Sequence, residues 1–274
     1  MSMIEEYKQK RALEDKQNYS VVKANSLIQQ SRFYLTTQEQ KIILYLVSKI
    51  KPEDKELSFY EFDIIEFCNV CDIDSDNGKN YKNIKQTLKN LRDKSIWVTD
   101  ENGDETLYAW LDHVKVIKKS SKVTLKINEL MKPYLLQLSS NYTQYTLYYV
   151  LAMRSQYSIK LYEVLKSYQY KFRCEFDLDD FKRILGAEKY QRHADFMRYV
   201  LTPAMTEIGE LSDIKATYEL YKTGRKFTRI MFTIKQLSSK EEWERRHTKI
   251  NKRLNSKNPE GQVTMFEPSI TAKE

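Results

Sequence analysis

Glycine and proline are scarce in this chain, 6 and 5 among 274 residues, which excludes collagen-like repeats and the Pro/Gly-rich composition of low-complexity chains. Cysteine is scarcer still. Cys68, Cys71 and Cys174 are an odd set that builds no disulfide framework, and Cys68-Asn69-Val70-Cys71 has zinc or redox spacing without the second pair that a four-ligand site needs. The plain reading of that pair is small buried residues on a core helix. Histidine occurs three times, at His113, His193 and His247, too scattered to form one ligand motif, so no metal and no cofactor is expected. Long apolar runs are missing as well: Ile42 to Val47 and Leu147 to Met153 fall far short of the ~20 residues of a membrane span. With a charged stretch from Met1 to Lys16 and no signal-peptide pattern, the expected compartment is cytoplasmic, with no membrane partner.

What is present is a core and a sorted set of charges. A content of 41% hydrophobic and 12% aromatic residues supports a packed interior, and 274 residues leave room for two domains. The formal charge is +8, but its arrangement says more. Glu53 to Asp76 holds nine acidic residues and one basic, Lys55; Lys79 to Lys94 holds six basic and one acidic, Asp93. Lys115 to Lys126 and Lys222 to Lys235 each hold five basic residues and no acidic one. Basic blocks of this kind point to a polyanion. Nucleic acid is favoured over a membrane surface, because neither of these last two blocks sits on an amphipathic helix with an apolar insertion face.

The chain also repeats itself. Leu57 to Phe62 recurs in outline as Phe176 to Phe181, an offset of 119; Ile84, Thr87, Leu88, Leu91 recurs as Leu201, Ala204, Met205, Ile208, an offset of 117; Ile43, Leu46, Val47 recurs as Leu161, Val164, Leu165, an offset of 118. Matches in the same order, each copy then followed by a basic hairpin, imply two copies of one small domain.

Periodicity divides the chain into an arm over 1–30 with one marginal helix, a first domain over 31–136, a second over 140–238, and a basic helix with flexible tail over 239–274. In the first copy Thr37 and Gln40 have capping-box spacing, opening a helix through Ile43, Leu46, Val47 and Ile50. A strand from Leu57 to Tyr60, a helix from Glu61 to about Cys71 and a helix from Tyr81 to about Asp93 follow. From Ile96 the period becomes two, ending in a hairpin that turns at Lys118 to Lys122. The second copy opens on a helix rich in Tyr142, Tyr145, Tyr148 and Tyr149, then a helix over Ser158 to Tyr168, a strand near Phe176, a helix over Asp179 to Leu185 stopped by Gly186, and a helix over Ala194 to Leu211. Its hairpin turns at Lys222 to Arg225. Pro203 either kinks the last helix or lets Thr202 cap a fresh start. Three helices and a basic hairpin, twice, predict an α+β fold of two tandem winged-helix domains related by internal duplication, in which the third helix enters the major groove and the hairpin lies on backbone.

Ser155 to Glu163, Val200 to Ile208, and Lys222-Thr223-Gly224-Arg225-Lys226 with Phe232 after it, together with Asn25-Ser26-Leu27 and Leu35 to Lys41, resemble the replication initiators of iteron-type plasmids, the RepB/RepE-type family. The resemblance covers about Asn25 to Gln236. It implies a chain that binds short direct repeats (iterons) at a plasmid origin, starts theta replication by opening the duplex, and recruits the host replication initiator and helicase machinery. It also implies a homodimer, formed through the first domain, that represses its own gene in copy-number control. The family's pattern around Pro203 favours a kinked helix.

An enzyme is the first competing class. Rolling-circle initiators cut DNA with a tyrosine and a metal on closely spaced histidines; the 20 tyrosines supply nucleophiles, but the histidines here are 80 and 54 residues apart. No Gly-x-x-x-x-Gly-Lys-Ser/Thr loop is present, so no catalytic residue is expected. A winged-helix transcriptional repressor without a replication role is the second, separable by whether direct repeats or an isolated palindrome flank the gene.

The candidate DNA contacts follow from outward positions. Arg198, Tyr199 and Thr202, preceded by Arg192 and His193, are assigned to base readout in the second copy. Lys222, Arg225, Lys226 and Arg229 in the second hairpin, and Lys115, Lys118, Lys119 and Lys122 in the first, are assigned to phosphates, with Gly224 supplying positive φ at the turn. Lys79, Lys82, Lys85, Gln86 and Lys89 form a further contact in the first copy. In the tail, Gln262, Met265 and Phe266 are similar to the short peptide by which bacterial proteins dock on the sliding clamp, a segment that suits binding without a large ordered surface.

Overall fold

In a computed structural model that describes residues 20–51, 54–71, 80–100 and 102–255, the chain enters on strand β1 (Ser20–Ala24) and the short helix α1 (Asn25–Gln29). The arm expected over 1–30 is thus part of the fold from Ser20 on: Val21, Leu27 and Ile28 are buried, in elements too short to display a period. Next come β2 (Ser31–Arg32), α2 (Thr37–Val47), β3 (Tyr60–Asp63), α3 (Ile64–Cys71) and α4 (Asn80–Arg92). The first domain is completed by β4 (Ser95–Thr99), β5 (Glu105–Ala109), β6 (Leu111–Ile117), β7 (Lys122–Ile127) and α5 (Lys132–Leu135).

The second copy opens on β8 (Tyr142–Thr146), not on the expected tyrosine-rich helix. Tyr and Thr favour strands, and Thr143 and Tyr145 alternate inward while Tyr142 and Gln144 face out. Only then does a helix start, α6 (Leu147–Ala152), followed by α7 (Gln156–Tyr168), β9 (Arg173–Asp177) and α8 (Leu178–Leu185). Helix α9 is built of three contiguous pieces, His193–Phe196, a π-helical turn Met197–Leu201, and Thr202–Leu211. β10 (Ile214–Thr223), β11 (Lys226–Gln236) and α10 (Lys240–Asn255) end the described chain.

The two copies share one topology. β3 pairs with β7 and β7 with β6; β9 pairs with β11 and β11 with β10, all antiparallel. The first copy alone inserts the hairpin β4–β5, which joins β2 in a sheet of its own.

Caps correct the alignment of the copies. The first long helix is capped by Thr36, not Thr37: Thr36 Oγ1 accepts the Glu39 N–H at 3.3 Å and Glu39 Oε2 accepts the Thr36 N–H at 2.7 Å, so Glu39 rather than Gln40 closes the box. Its counterpart cap is Ser155, which accepts from the Tyr157 N–H. Thr36 and Ser155, Lys41 and Lys160, and Ser48 and Ser167 all lie 119 apart, so the offset of 118 for this helix is one residue short. At the next junction Asp63 and Asp177 each accept the N–H two residues on, at 2.9 Å in both cases, an offset of 114. The match of Leu57–Phe62 to Phe176–Phe181 therefore fails, since Phe62 is in a strand and Phe181 in a helix; Phe67 and Phe181 are the equivalent core rings. The 117 offset of the third helices holds at Ile84 with Leu201 and at Leu91 with Ile208, all buried, whereas Leu88 and Ala204 are buried opposite the half-buried Met205 and Thr87.

β1 pairs antiparallel with β8, with Val22 opposite Gln144. Each strand opens its own copy, so the copies are related by an approximate twofold axis between those residues, and each short helix meets the other copy's first long helix. Lys41 Nζ donates to the Leu151 carbonyl of α6 at 2.7 Å, while Lys160 Nζ donates to the Ile28 carbonyl of α1 at 3.3 Å and to Ser31 Oγ at 3.2 Å. Both lysines are buried. Beside them Glu163 of α7, also buried, pairs with Lys23 of β1 and accepts from the Tyr145 hydroxyl of β8 at 2.5 Å. Satisfied buried polar groups of this kind fix one geometry, because any slip leaves a charge unpaired.

Candidate nucleic-acid interface

Helix α9 is the third helix of the second copy and has one buried and one outward face. Phe196, Val200, Leu201, Ala204 and Ile208 are buried and Met205 is half-buried, which leaves Arg198, Tyr199, Thr202 and Thr206 outward. Pro203 has no N–H to donate to Tyr199. The helix neither breaks nor restarts there. A π-turn precedes it, with the Thr202 N–H reaching back to the Met197 carbonyl, and the added residue widens the helix where Arg198 and Tyr199 project. Of the two alternatives at Pro203, the fresh cap at Thr202 is not formed, since Thr202 is helical and makes no side-chain cap.

Those side chains are braced. Tyr199 is 50% exposed, stacks on Tyr190 at 6.0 Å between centroids, and lies under the Arg198 guanidinium at 5.2 Å. Arg192 is exposed at the N-cap, 3.9 Å from Asp195. His193 is less free: its ring stacks on Phe227 of β11 at 4.4 Å, and burial, helped by Lys182 and Lys222, lowers its pKa and keeps it neutral near pH 7. Lys222 Nζ lies 4.5 Å from the same Phe227 ring. Phe227 thus ties the start of α9 to the hairpin. Thr206 donates its hydroxyl to the Thr202 carbonyl at 2.9 Å, which leaves its methyl as the group it can offer.

The second hairpin turns through Gly224 at φ 63, a left-handed conformation open to glycine without strain. Lys222, Arg225 and Lys226 are exposed around it, Lys226 3.8 Å from Asp179. Arg229 stands apart on the sheet, held by Glu175 at 2.6 Å. In the first copy Lys82, Lys85, Gln86 and Lys89 share one exposed face of α4; Gln86 donates to Asn90 at 2.7 Å and Lys89 pairs with Asp93 at 2.5 Å. Lys115, Lys119 and Lys122 are exposed on the first hairpin, Lys122 paired with Glu61 at 2.5 Å, and Lys118 opens the turn Lys118–Ser120. Lys79, Gln262, Met265 and Phe266 lie outside the described residues.

Other charged residues belong to the fold. Arg246 of α10 is buried and donates to the Ser212 and Ile214 carbonyls at 2.8 and 2.7 Å, while Lys249 and Arg253 pair with Glu210 and Glu207 of α9. The expected basic helix thus packs on α9 through these pairs. Cys68 and Cys71 are buried in α3, with the Cys68 thiol pushed up to about 11 by desolvation. Among the described residues no group of three or more His, Cys, Asp or Glu could hold a metal ion, and no helix is long and apolar enough to cross a membrane. Sequence reasoning missed Tyr190, Phe227 and Thr206; the signal for the last was its spacing of four from Thr202 and eight from Arg198.

Two exposed helix faces, each beside a basic hairpin and set in the same strand order, are the arrangement of paired winged helices. Residues 20–166 match the first winged-helix domain, WH1, of the initiator replication protein family, and residues 177–234 match the second, WH2, of the initiator Rep protein. The first match begins at β1 and so takes in the strand and short helix that open the first copy. The chain therefore belongs to the initiator replication protein family, as a plasmid replication initiator with two DNA-binding winged-helix domains.

Proposed function

We propose that the chain binds the direct repeats of its origin as an asymmetric unit, α9 reading bases and the two hairpins and α4 holding phosphates. The observation that carries this is the contrast between the two third helices. They occupy equivalent places, yet one presents Arg198, Tyr199, Thr202 and Thr206 and the other Lys82, Lys85, Gln86 and Lys89. A lysine face is a phosphate-binding surface, whereas arginine can address guanine with two parallel hydrogen bonds. A chain with two unlike faces recognises a site with a direction, which is the property of a direct repeat and not of a palindrome.

Initiation in this reading is non-enzymatic. His113 packs on Phe59, His193 on Phe227 and His247 on Trp243, each a ring contact rather than a ligand set. Binding of successive repeats opens adjacent duplex and brings the host replication initiator and helicase machinery, with the segment Gln262, Met265 and Phe266 docking on the sliding clamp. A homodimer forms through the first domain: Trp97 and Leu107 are cross-strand neighbours, 45% and 49% exposed, and β5 is the free edge of its sheet. The test is permanganate probing of a supercoiled plasmid carrying tandem repeats beside A/T-rich duplex. Unpaired thymines beside protected repeats are expected; protection of the repeats with no unpaired thymine overturns the initiation reading.

A further inference from the structure

The loop between α7 and β9 carries an observation that duplex binding does not use. Tyr170 and Phe172 are 65% and 66% exposed, more than any other large apolar side chain of the described residues. They alternate with cations in Tyr170-Lys171-Phe172-Arg173. Strand alternation would turn Phe172 inward with Cys174 and Phe176, but its backbone is left-handed, φ 60 and ψ −17, which breaks the alternation and puts the ring in solvent. That conformation is disfavoured for a bulky residue, and it is the only aromatic among the non-glycine residues of positive φ in the described chain. The backbone is pinned there: the Phe172 N–H donates to the Gln169 carbonyl at 3.1 Å and its carbonyl accepts from Ile234 at 2.8 Å. Strain is thus held at a position where the exposed ring adds nothing to the core.

The surroundings are cationic. Lys171 Nζ lies 5.5 Å from the Tyr170 ring and 5.7 Å from Tyr168. On the outer sheet face Arg173 stands opposite Thr233, and Lys235 opposite Lys215. Among the described residues Arg173 and Lys235 form no ion pair, Lys215 is 3.8 Å from Glu242, and the nearby Glu175 is taken by Arg229. This end of the sheet lies at the opposite end of the β10–β11 hairpin from the turn at Gly224, so a ligand here need not compete with duplex at the hairpin tip.

We infer that the face formed by Tyr170, Phe172, Lys171, Arg173, Lys215 and Lys235 is a second nucleic-acid site, for single-stranded DNA, with bases stacking on the two rings and backbone phosphates on the cations. Exposed aromatic platforms beside a basic groove suit single strands because every base has a stacking face, while bases in a duplex are already stacked. The site uses none of the residues assigned to the repeat, so its failure and the failure of the duplex reading are separable. In the full chain, titrate a labelled 15-nucleotide DNA strand, the same sequence as RNA, and a duplex repeat, against wild type, Phe172→Gly and Tyr170→Ala/Phe172→Gly. Loss of one stack predicts about tenfold weaker single-strand binding for Phe172→Gly and a larger loss for the double variant, with duplex affinity within about twofold of wild type. Glycine adopts φ 60 freely, so Phe172→Gly is expected to melt no lower than wild type, which a merely structural role for the ring would not allow. Equal single-strand binding by the variants, parallel loss of duplex binding, or tighter binding of the RNA overturns the assignment.

Discussion

At the scale of single residues, Arg198 and the hairpin cations make opposite predictions about specificity. Arg198 is outward, braced on Tyr199 and free of a carboxylate partner among the described residues. Arg198→Ala is expected to weaken the cognate repeat by ~1–3 kcal/mol while leaving a random duplex nearly unchanged, measured as paired affinities at one salt concentration. Lys222, Arg225 and Lys226 are exposed around the turn tip at Gly224. Their triple alanine variant should weaken all duplexes alike and lower the salt slope by about 0.9 for each phosphate no longer neutralised. The sequence disclosed these cations through their clustering, but it could not disclose their partners. Glu61 is 61 positions from Lys122 and Glu175 is 54 from Arg229, and only strand pairing brings them together. Nor could it disclose that Lys41 and Lys160 are buried against backbone carbonyls of the other copy.

At the scale of elements, long amphipathic helices and the basic hairpins were legible, because an apolar face of three or four turns leaves a period. Short strands were not. β8 was hidden by tyrosines that suit either structure, and β1 and α1 by having five residues each. The insertion β4–β5 read as a continuation of the hairpin because its alternation has the same period; what separates it is pairing with β2. That inserted hairpin carries the dimer prediction. Trp97→Lys/Leu107→Lys should sediment as a monomer at concentrations where wild type is dimeric, with its affinity for a direct repeat retained. A persistent dimer would remove this face from the interface. Helix α10 shows how cations in a basic element can be taken up by the fold: Lys249 and Arg253 meet the carboxylates of α9, and His247 is packed against Trp243 and Tyr148, with burial lowering its pKa to about 4.

At the scale of the whole molecule, the approximate twofold and its buried lysines hold the domains as one unit. Burial lowers the Lys160 pKa to about 7, against an unfolded value near 10.4. Between those values the unfolded chain keeps a proton that the folded chain has released, so this group makes stability rise with pH from about 7 to 10.4 and fall as pH drops toward 7. Lys160→Met should flatten that limb in denaturant titrations compared with wild type; an unchanged slope would place the pH dependence elsewhere. A fixed unit also sets the spacing of its DNA contacts. The most direct measurement is a hydroxyl-radical footprint of the full chain on one direct repeat, alone and with about 5 base pairs inserted at its centre. Two protected tracts on one face of the duplex, about one helical turn apart, are predicted on the intact repeat, with one tract vanishing on the split repeat because half a turn carries it to the opposite face. A single tract on the intact repeat, or both tracts surviving the insertion, would contradict recognition by two domains held in register.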